Sequence, residues 1–595
     1  MKKIPFQSWW ELWPDLFAEE LHAFQRNAID HKIVLQRKDI LIIEANWSIP
    51  DQPPLRLRIG FSSLHPFFPP IVAAPHAQFE RHQHLIGKTL CLLTQETGQW
   101  NSAQRVADFI EERLRQLLEV LTARTEGRWE DAANLEERTG DPLMPYFAGS
   151  AEDDSLILFD GQSVLPPEGH GSLELLVWSR PTPRNELAIE GVLHRVTNAS
   201  GRLFGNAFSL PTNPPGGRRV TGRWVRLAPP PTDDPAELIA AADAELAKQG
   251  VLQARSVQAV NDALDPSFSV TAFVFPEEVE YGRKQSGTGW LFVVQRRSFG
   301  SQGGGVSNAA LIRGERASEP DFFSRVPVAN ALRSKNVIVF GCGAIGSFVS
   351  LELARSGVGH LSLFDRDIVQ PGNSVRWPLG RPAWGSNKAA ALGRYIEANF
   401  PWTRATAYDG EIGVAATDDA KVVNELRQQS GPFAKILEII DAVDLVIDTS
   451  ASSEVQHALE YLCRWRRKPY VLGHATLGLA GGVVARFEPD GGGCWSCLQN
   501  HWHDGSVPQP PVDKEGVTTP AGCSAPTFTG GGFDVQEVSL EVVRSAIGLL
   551  VSDVYDPGDW SISILRLRDD LGRRVLPSWT HHECPPHPRC CGSKQ

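Results

Sequence analysis

The stretch "VIVFGCGAIGSFVSLELARSGVGHLSLFDRDIVQPGNSVRW", residues 337–377, decides how the C-terminal half of this chain is read. An apolar run ends in Gly341, Gly343 and Gly346, the spacing of a glycine-rich turn between a strand and a helix. Such glycines let the backbone approach phosphate groups, and the helix N-terminus favours their charge. A second apolar run ends at Asp365, where an acidic group meets a ribose hydroxyl. Up to this point the residues describe a nicotinamide site. The continuation does not. Asp367, Asn373 and Arg376 follow at once, then Lys388, then Asp448 in "LVIDTSAS". Hydride transfer has no use for Arg376 and Lys388 beside the phosphates. Splitting ATP does: cations neutralise developing phosphate charge, and an aspartate can hold Mg2+.

Around this core, strand and helix alternate from about residue 320 onward. "NVIVFG", "HLSLFD", "DLVIDTS" and "PYVLGHA" read as strands, and "AIGSFVSLELARSG" and "SNKAAALGRYIEANF" as helices. This predicts an α/β domain over 320–595 with a doubly wound sheet. At 595 residues the chain is too long for a single core. Residues 1–125 read as helix (5–30), antiparallel meander, long loop, helix (104–123), an α+β domain. Residues 151–298 mix strands with the helix "PAELIAAADAELAKQG", a mixed α/β middle domain of unknown role. "FGSQGGGVSN", 299–308, has the composition of a flexible connector.

The net charge of -12 and the pI near 5.8 argue against a broad nucleic-acid or anionic-membrane surface. The N-terminal residues form no signal-peptide core, and no apolar run approaches the roughly 20 residues of a membrane span, so a cytoplasmic location is expected. The nine cysteines are an odd count spread unevenly, which favours metal binding or catalysis over a disulfide framework. Cys494 and Cys497 in "CWSC" are half of a tetrahedral Zn2+ site. The C-terminal "HHECPPHPRCCG" offers the other half: Cys584 with Cys590, or Cys591 or His587 in place of one. His501 and His503 are a local alternative. Cys523 lies in a long polar loop running into a helix, where a thiol pKa is lowered.

The order Gly341, Gly343, Gly346, Asp365, Asn373, Arg376, Lys388, Asp448 resembles the ThiF-like superfamily of ubiquitin-activating and sulfur-carrier-activating enzymes. The resemblance covers roughly residues 320–591. It implies adenylation of the C-terminal carboxylate of a small protein, with Asp365 on the ATP ribose. Asn373, Arg376 and Lys388 would hold the phosphates and Asp448 the Mg2+. Asp367 fits the family's paired aspartates, and Arg325 a cation upstream of the turn. Such enzymes place a thioester-forming nucleophile in a crossover loop, here Cys523, and commonly pair as homodimers through this domain.

Residues 5–125 are similar to ubiquitin-conjugating enzymes. His65-Pro66 and Pro69-Pro70 match their proline turn, and Gly87, Cys91, Leu92 and Trp100 match the segment of the acceptor cysteine. The departure is at their His-Pro-Asn: His82, Gln83 and His84 stand in that region, with no asparagine. A conjugating-like domain ahead of an activating-like domain closely resembles the fusion proteins of CBASS antiphage islands. That resemblance implies a ligase: adenylation, a relay from Cys523 to Cys91, and transfer to a target amine. The carrier would be a cGAS-like nucleotidyltransferase, or alternatively a bacterial ubiquitin-like protein, acting through its C-terminus. A sulfur-carrier adenylyltransferase and an NAD-dependent oxidoreductase remain as other readings.

Overall fold

The computed structural model describes residues 7–49, 53–79, 81–92, 100–135, 140–147, 155–161, 165, 169–181, 187–201, 203–206, 217–228, 232–251, 268–283, 286–298, 305–413, 432–519 and 527–590. The chain forms two compact units, one within residues 1–318 and one within residues 319–595.

The first unit begins with the helices Trp9–Leu12 and Pro14–Asn27. One helix was expected over 5–30. Pro14 divides it, because proline displaces the preceding residue from helical backbone, and Trp13 sits at φ -130°, ψ 72°. A four-stranded antiparallel meander follows: Asp30–Arg37, Ile40–Trp47, Leu55–Phe61 and Ile71–Ala73. Alternate residues Leu41, Ile43, Ala45 and Trp47 are buried, as a half-covered sheet requires. They pack with Phe24 and with Phe109, Ile110 and Leu114 of the helix Val106–Thr125.

The rest of the first unit is a β-barrel. Its strands run in the order Leu156–Phe159, Gly305–Arg316, Gly287–Ser298, Phe268–Glu277, Arg218–Arg226, His170–Pro181, Leu187–Asn198. Parallel pairing of Leu156 with Glu190 and of Leu158 with Val192 closes the ring, and Leu203–Asn206 adds an outer strand. The expected connector at 299–308 is therefore strand from Gly305 onward, and the sheet continues past 298. Barrel closure explains this, since the strand to Arg316 supplies the partner that Leu156–Phe159 needs. Alternation assigns the two faces. Val270, Ala272, Val274, Trp290 and Phe292 fill the interior with Trp224 and Phe159. Phe273, Phe275, Leu291 and Val293 point outward and are covered by the helix Pro235–Lys248.

The second unit is an eight-stranded sheet in the order Arg404–Tyr408, His360–Phe364, Asn336–Phe340, Leu445–Asp448, Tyr470–Ala475, Gly481–Phe487, Ile562–Arg568, Arg574–His582. The first five strands are parallel and the last three antiparallel. The central strands are buried on both faces, which is why they read as unbroken apolar runs. Val337 and Val339 face the helices Gly346–Arg355 and Gly532–Leu550, while Ile338 and Phe340 face Ser453–Trp465. The order reverses between Asn336–Phe340 and Leu445–Asp448. That switch point leaves a crevice at the carboxyl ends of the strands, where such sheets bind ligands.

Candidate functional site

The glycine turn lies at this switch point, and its three glycines answer three demands. Gly341 has φ +84°, and a side chain there would meet Ser450 N at 2.7 Å. At Gly346 a Cβ would fall 1.9 Å from Gly341 O, so the helix can only start this close to the strand without one. At Gly343 a Cβ would meet nothing within 4 Å, which leaves the turn open to an approaching phosphate. Thr449 Oγ1 braces the turn by donating to Gly341 O at 2.6 Å. Trp377, buried, donates from Nε1 to Cys342 O at 2.9 Å.

Asp365 begins where its strand ends. Its Oδ2 accepts from Cys342 N and its Oδ1 from Asp367 N, each at 2.7 Å. Burial, chiefly, raises its pKa above the ordinary carboxylate value. Two accepted bonds leave lone pairs for a ribose hydroxyl. Asn387 caps the helix Lys388–Asn399 through Ala390 N and donates to Asp365 O, so strand end and helix start share one anchor. Lys388 Nζ, the more buried partner, meets the exposed Asp367 Oδ2 at 2.9 Å. Asn373 Oδ1 accepts from Gln370 N. Arg376 is half-buried, and burial lowers its pKa; its Nη2 donates to Thr527 Oγ1 at 2.5 Å. Thr527 pairs with Thr518 in a short antiparallel ladder that brackets residues 519–526. Cys523 lies outside the described residues, as does Cys591. Arg325 is exposed between two short helices.

Asp448 is placed differently from the expectation of an open Mg2+ ligand. It is 0% exposed. Its Oδ1 accepts from Ser450 N at 2.8 Å and its Oδ2 from the Tyr470 hydroxyl at 2.9 Å, and burial pushes its pKa up to about 6. The groups at this edge that could hold a nucleotide are the open Gly343, the Asp365 carboxylate and the Lys388 ammonium. Asp448 presents no open face to a magnesium ion in this arrangement, because it is fully buried and each oxygen already accepts one bond.

A second cluster is formed by thiols. Cys494 Sγ lies 3.7 Å from Cys497 Sγ and 3.3 Å from Cys590 Sγ, near the roughly 3.8 Å edge of a tetrahedron with 2.3 Å metal–sulfur bonds. Cys584 is buried beside them against Gly493, where a Cβ would meet its Sγ at 2.7 Å. Burial pushes the Cys494 and Cys584 thiols up to about 12. At Cys497 burial acts the same way but is outweighed, first by the His587 N–H bond, and the thiol is lowered. A metal ion would deprotonate Cys494, Cys497 and Cys590, whose sulfurs all lie within 4.8 Å of one another, so this donor set suits one. The histidines considered as ligands are engaged elsewhere. His587 Nε2 meets Asp504 Oδ2 at 2.8 Å while its Nδ1 accepts from Arg589 N. His501 is bonded to Pro585 O and to Ser506 Oγ. His503 is exposed.

In the first unit Cys91 is exposed, and its N–H donates to His82 O at 2.7 Å. His82 has φ +58°. Gln83 is buried and crosslinks the loop: its Oε1 accepts from Phe79 N, and its Nε2 reaches Ala74 O and Ala77 O. His84 Nδ1 accepts from Gly87 N at 3.0 Å. The proline turn is held from beneath by Glu20, fully buried, which meets His65 Nε2 at 3.1 Å and accepts from Val106 N at 2.8 Å. Trp100 Nε1 donates to Pro66 O at 2.9 Å. The bracing by Glu20, Gln83 and Tyr470 escaped the sequence reading, because each acts on residues distant in the chain and no spacing marks it.

Over 590 residues the chain is 45% identical to the "uncharacterized protein y4oA" of Sinorhizobium fredii, covering 99% of this chain and 98% of that protein. It is 30% identical to y4qC of the same organism, over 93% of this chain and 91% of the other. Residues 319–548 match the ThiF family. The chain belongs to the family of y4oA and y4qC and carries a ThiF-family adenylyltransferase domain. Enzymes with this ThiF domain use ATP and Mg2+. The chain is also similar to the "ATP-dependent ubiquitin transferase-like protein Cap2" of Enterobacter hormaechei, 27% identical over 36% of this chain and 32% of that protein. Among solved structures, E. coli MccB with ATP aligns at a TM-score of 0.31 and 17% identity, over 45% of this chain and 68% of that one. Among the described residues no helix is long and apolar enough to cross a membrane.

Proposed function

We propose that this protein activates the C-terminal carboxylate of a partner protein by adenylation and ligates it to a target amine. The carboxylate attacks the α-phosphorus of ATP, expelling pyrophosphate. Cys523 displaces AMP to form a thioester, and Cys91 takes the acyl group by thiol exchange. A target amine attacks the thioester carbonyl, releasing Cys91. The nucleotide stands at the Gly341–Gly346 turn, with Asp365 on its ribose and Asn373, Arg376 and Lys388 on its phosphates. Bound Mg2+ would offset phosphate charge, with Asp448 able to serve only after exchanging a bond. Zinc on Cys494, Cys497, Cys584 and Cys590 fastens the chain end. The observation that carries this reading is the gathering of Asp365, Asp367 and Lys388 beside one open glycine turn, with Arg376 next to the Trp377 that bonds the turn, in a chain that also exposes Cys91.

The likeness to Cap2 supports a defence role of the CBASS kind, with a cGAS-like nucleotidyltransferase as the carrier and a ubiquitin-like protein as the alternative. The same reading has the protein act as a homodimer through its adenylation domain. The test is ATP–pyrophosphate exchange with each candidate carrier, followed by non-reducing gels. Exchange that needs the carrier's C-terminus, a reducible adduct on Cys91→Ala and no final conjugate are expected. Normal conjugation by Cys91→Ala would reduce the first domain to a docking module.

A further inference from the structure

Among the described residues, Trp224, Trp290, Phe292 and Phe159 occupy the interior of the barrel. On its outside the barrel grips the loop that carries Cys91. The segment His82–Cys91 doubles back on itself: Gln83 bridges Leu90, His84 N donates to Thr89 O, and Cys91 N donates to His82 O. The tip of this hairpin, Leu85 and Ile86, packs into the outer apolar face of the barrel with Phe273, Phe275 and Leu291. Its base is held as well. Arg81, buried, forms an ion pair with Glu278, also buried, just past the barrel strand Phe268–Glu277. Glu278 Oε1 also accepts from Gly282 N at 2.9 Å, which fixes its own turn. The Arg81 guanidinium lies over the Tyr281 ring at 5.1 Å, and Arg124 from the long helix approaches the same ring at 5.6 Å.

We infer that the barrel is a clamp for the Cys91 loop, with Arg81, Glu278 and Ile86 as positioning residues for the Cys91 thiol. The catalytic meaning of this clamp rests on the acyl-carrier reading of Cys91. Breaking one half of a buried pair strands the other charge, so single substitutions act far more strongly than an exchange of the two. A hairpin gripped at both ends holds its thiol in one environment, whereas a loosened one samples many.

The test follows alkylation of Cys91 by iodoacetamide in the full chain between pH 6 and 9, read by mass spectrometry of the Cys91 peptide. Arg81→Met and Glu278→Gln should each change the rate at pH 7.5 at least five-fold and shift its pH profile. The double exchange Arg81→Glu with Glu278→Arg should return both to within two-fold of the parent. Ile86→Ala, which keeps the ion pair, should shift the profile in the same direction and serves if a charge variant does not fold. Rates and profiles within two-fold of the parent in the single variants overturn the clamp. An exchange that restores nothing overturns the role of the pair. Alkylation does not depend on thioester chemistry, so these outcomes stand apart from failure of the acyl-relay reading, which conjugation by Cys91→Ala decides.

Discussion

The nucleotide edge and the Cys91 loop are built in opposite ways. At the nucleotide edge, the turn from Gly341, Asp365, Asp367, Arg376 and Lys388 all come from one continuous stretch, and most of its bonds stay within it, with Thr449 and Thr527 as the distant partners. The Cys91 loop and the proline turn of the same domain draw on distant partners: Glu278 pairs with Arg81 at the base of the loop, and Glu20, Val106 and Trp100 hold the turn at His65 and Pro66. A site made locally survives damage elsewhere, while a site made at long range depends on the whole unit. Perturbing each site where it is weakest sharpens that contrast.

The largest effect is expected for Glu20→Ala. It removes the fully buried carboxylate beneath His65 and Val106, and loss of one buried partner costs about 3–5 kcal/mol. Thermal unfolding should show the first unit destabilised with the ATP-dependent exchange of the second intact. A matched loss of both activities would break the distinction between the two regions. Gly346→Ala should abolish exchange, because its Cβ would stand 1.9 Å from Gly341 O, while Gly343→Ala should fold normally and weaken ATP binding. Equal folding of the two variants by circular dichroism would refute this division of roles.

Asp448 gives a pH-dependent prediction. Its folded pKa of about 6 lies above the unfolded 3.8, so its stabilising protonation is complete below about pH 4 and is lost as pH rises through 6. Over that window the second unit should lose at most about 3 kcal/mol to this group. Asp448→Asn should flatten the curve, with its amide donating to Tyr470 and the Tyr470 hydroxyl passing to Gln456 O. Denaturant titrations at pH 4.5 and 7.5 measure this, and an unchanged slope would remove Asp448 as its source. The smallest stability effect belongs to Lys388→Met, since a pair with an exposed partner contributes under about 1 kcal/mol. Its exchange rate should nonetheless fall by ten-fold or more, and a large loss of stability would show that the lysine is structural.

The same contrast explains what was legible in the sequence. The central strands announced themselves through apolar runs such as 337–340 and 445–447, because a sheet covered on both faces tolerates little else. The nucleotide residues were legible because their spacing is their geometry. The burial of Asp448 was not, since the partner that turns it inward, Tyr470, stands on the next strand. Nor was the barrel: its closing pairs join Leu156 to Glu190 and to Arg313, and Gly305, read as part of a connector, is strand paired with Ser298. Gln83 looked like a broken motif, yet it supports its loop by reaching Ala74 and Ala77.

The thiol cluster has a consequence for how the chain is born. Cys494 meets Cys590 across 96 residues, so on the ribosome the first two thiols wait about 5–20 s for their partner at ordinary rates of synthesis. Through that interval they are reduced, adjacent and uncommitted, open to oxidation or to the wrong metal. A product cut short before Cys584 lacks Cys590 as well and never brings these thiols together.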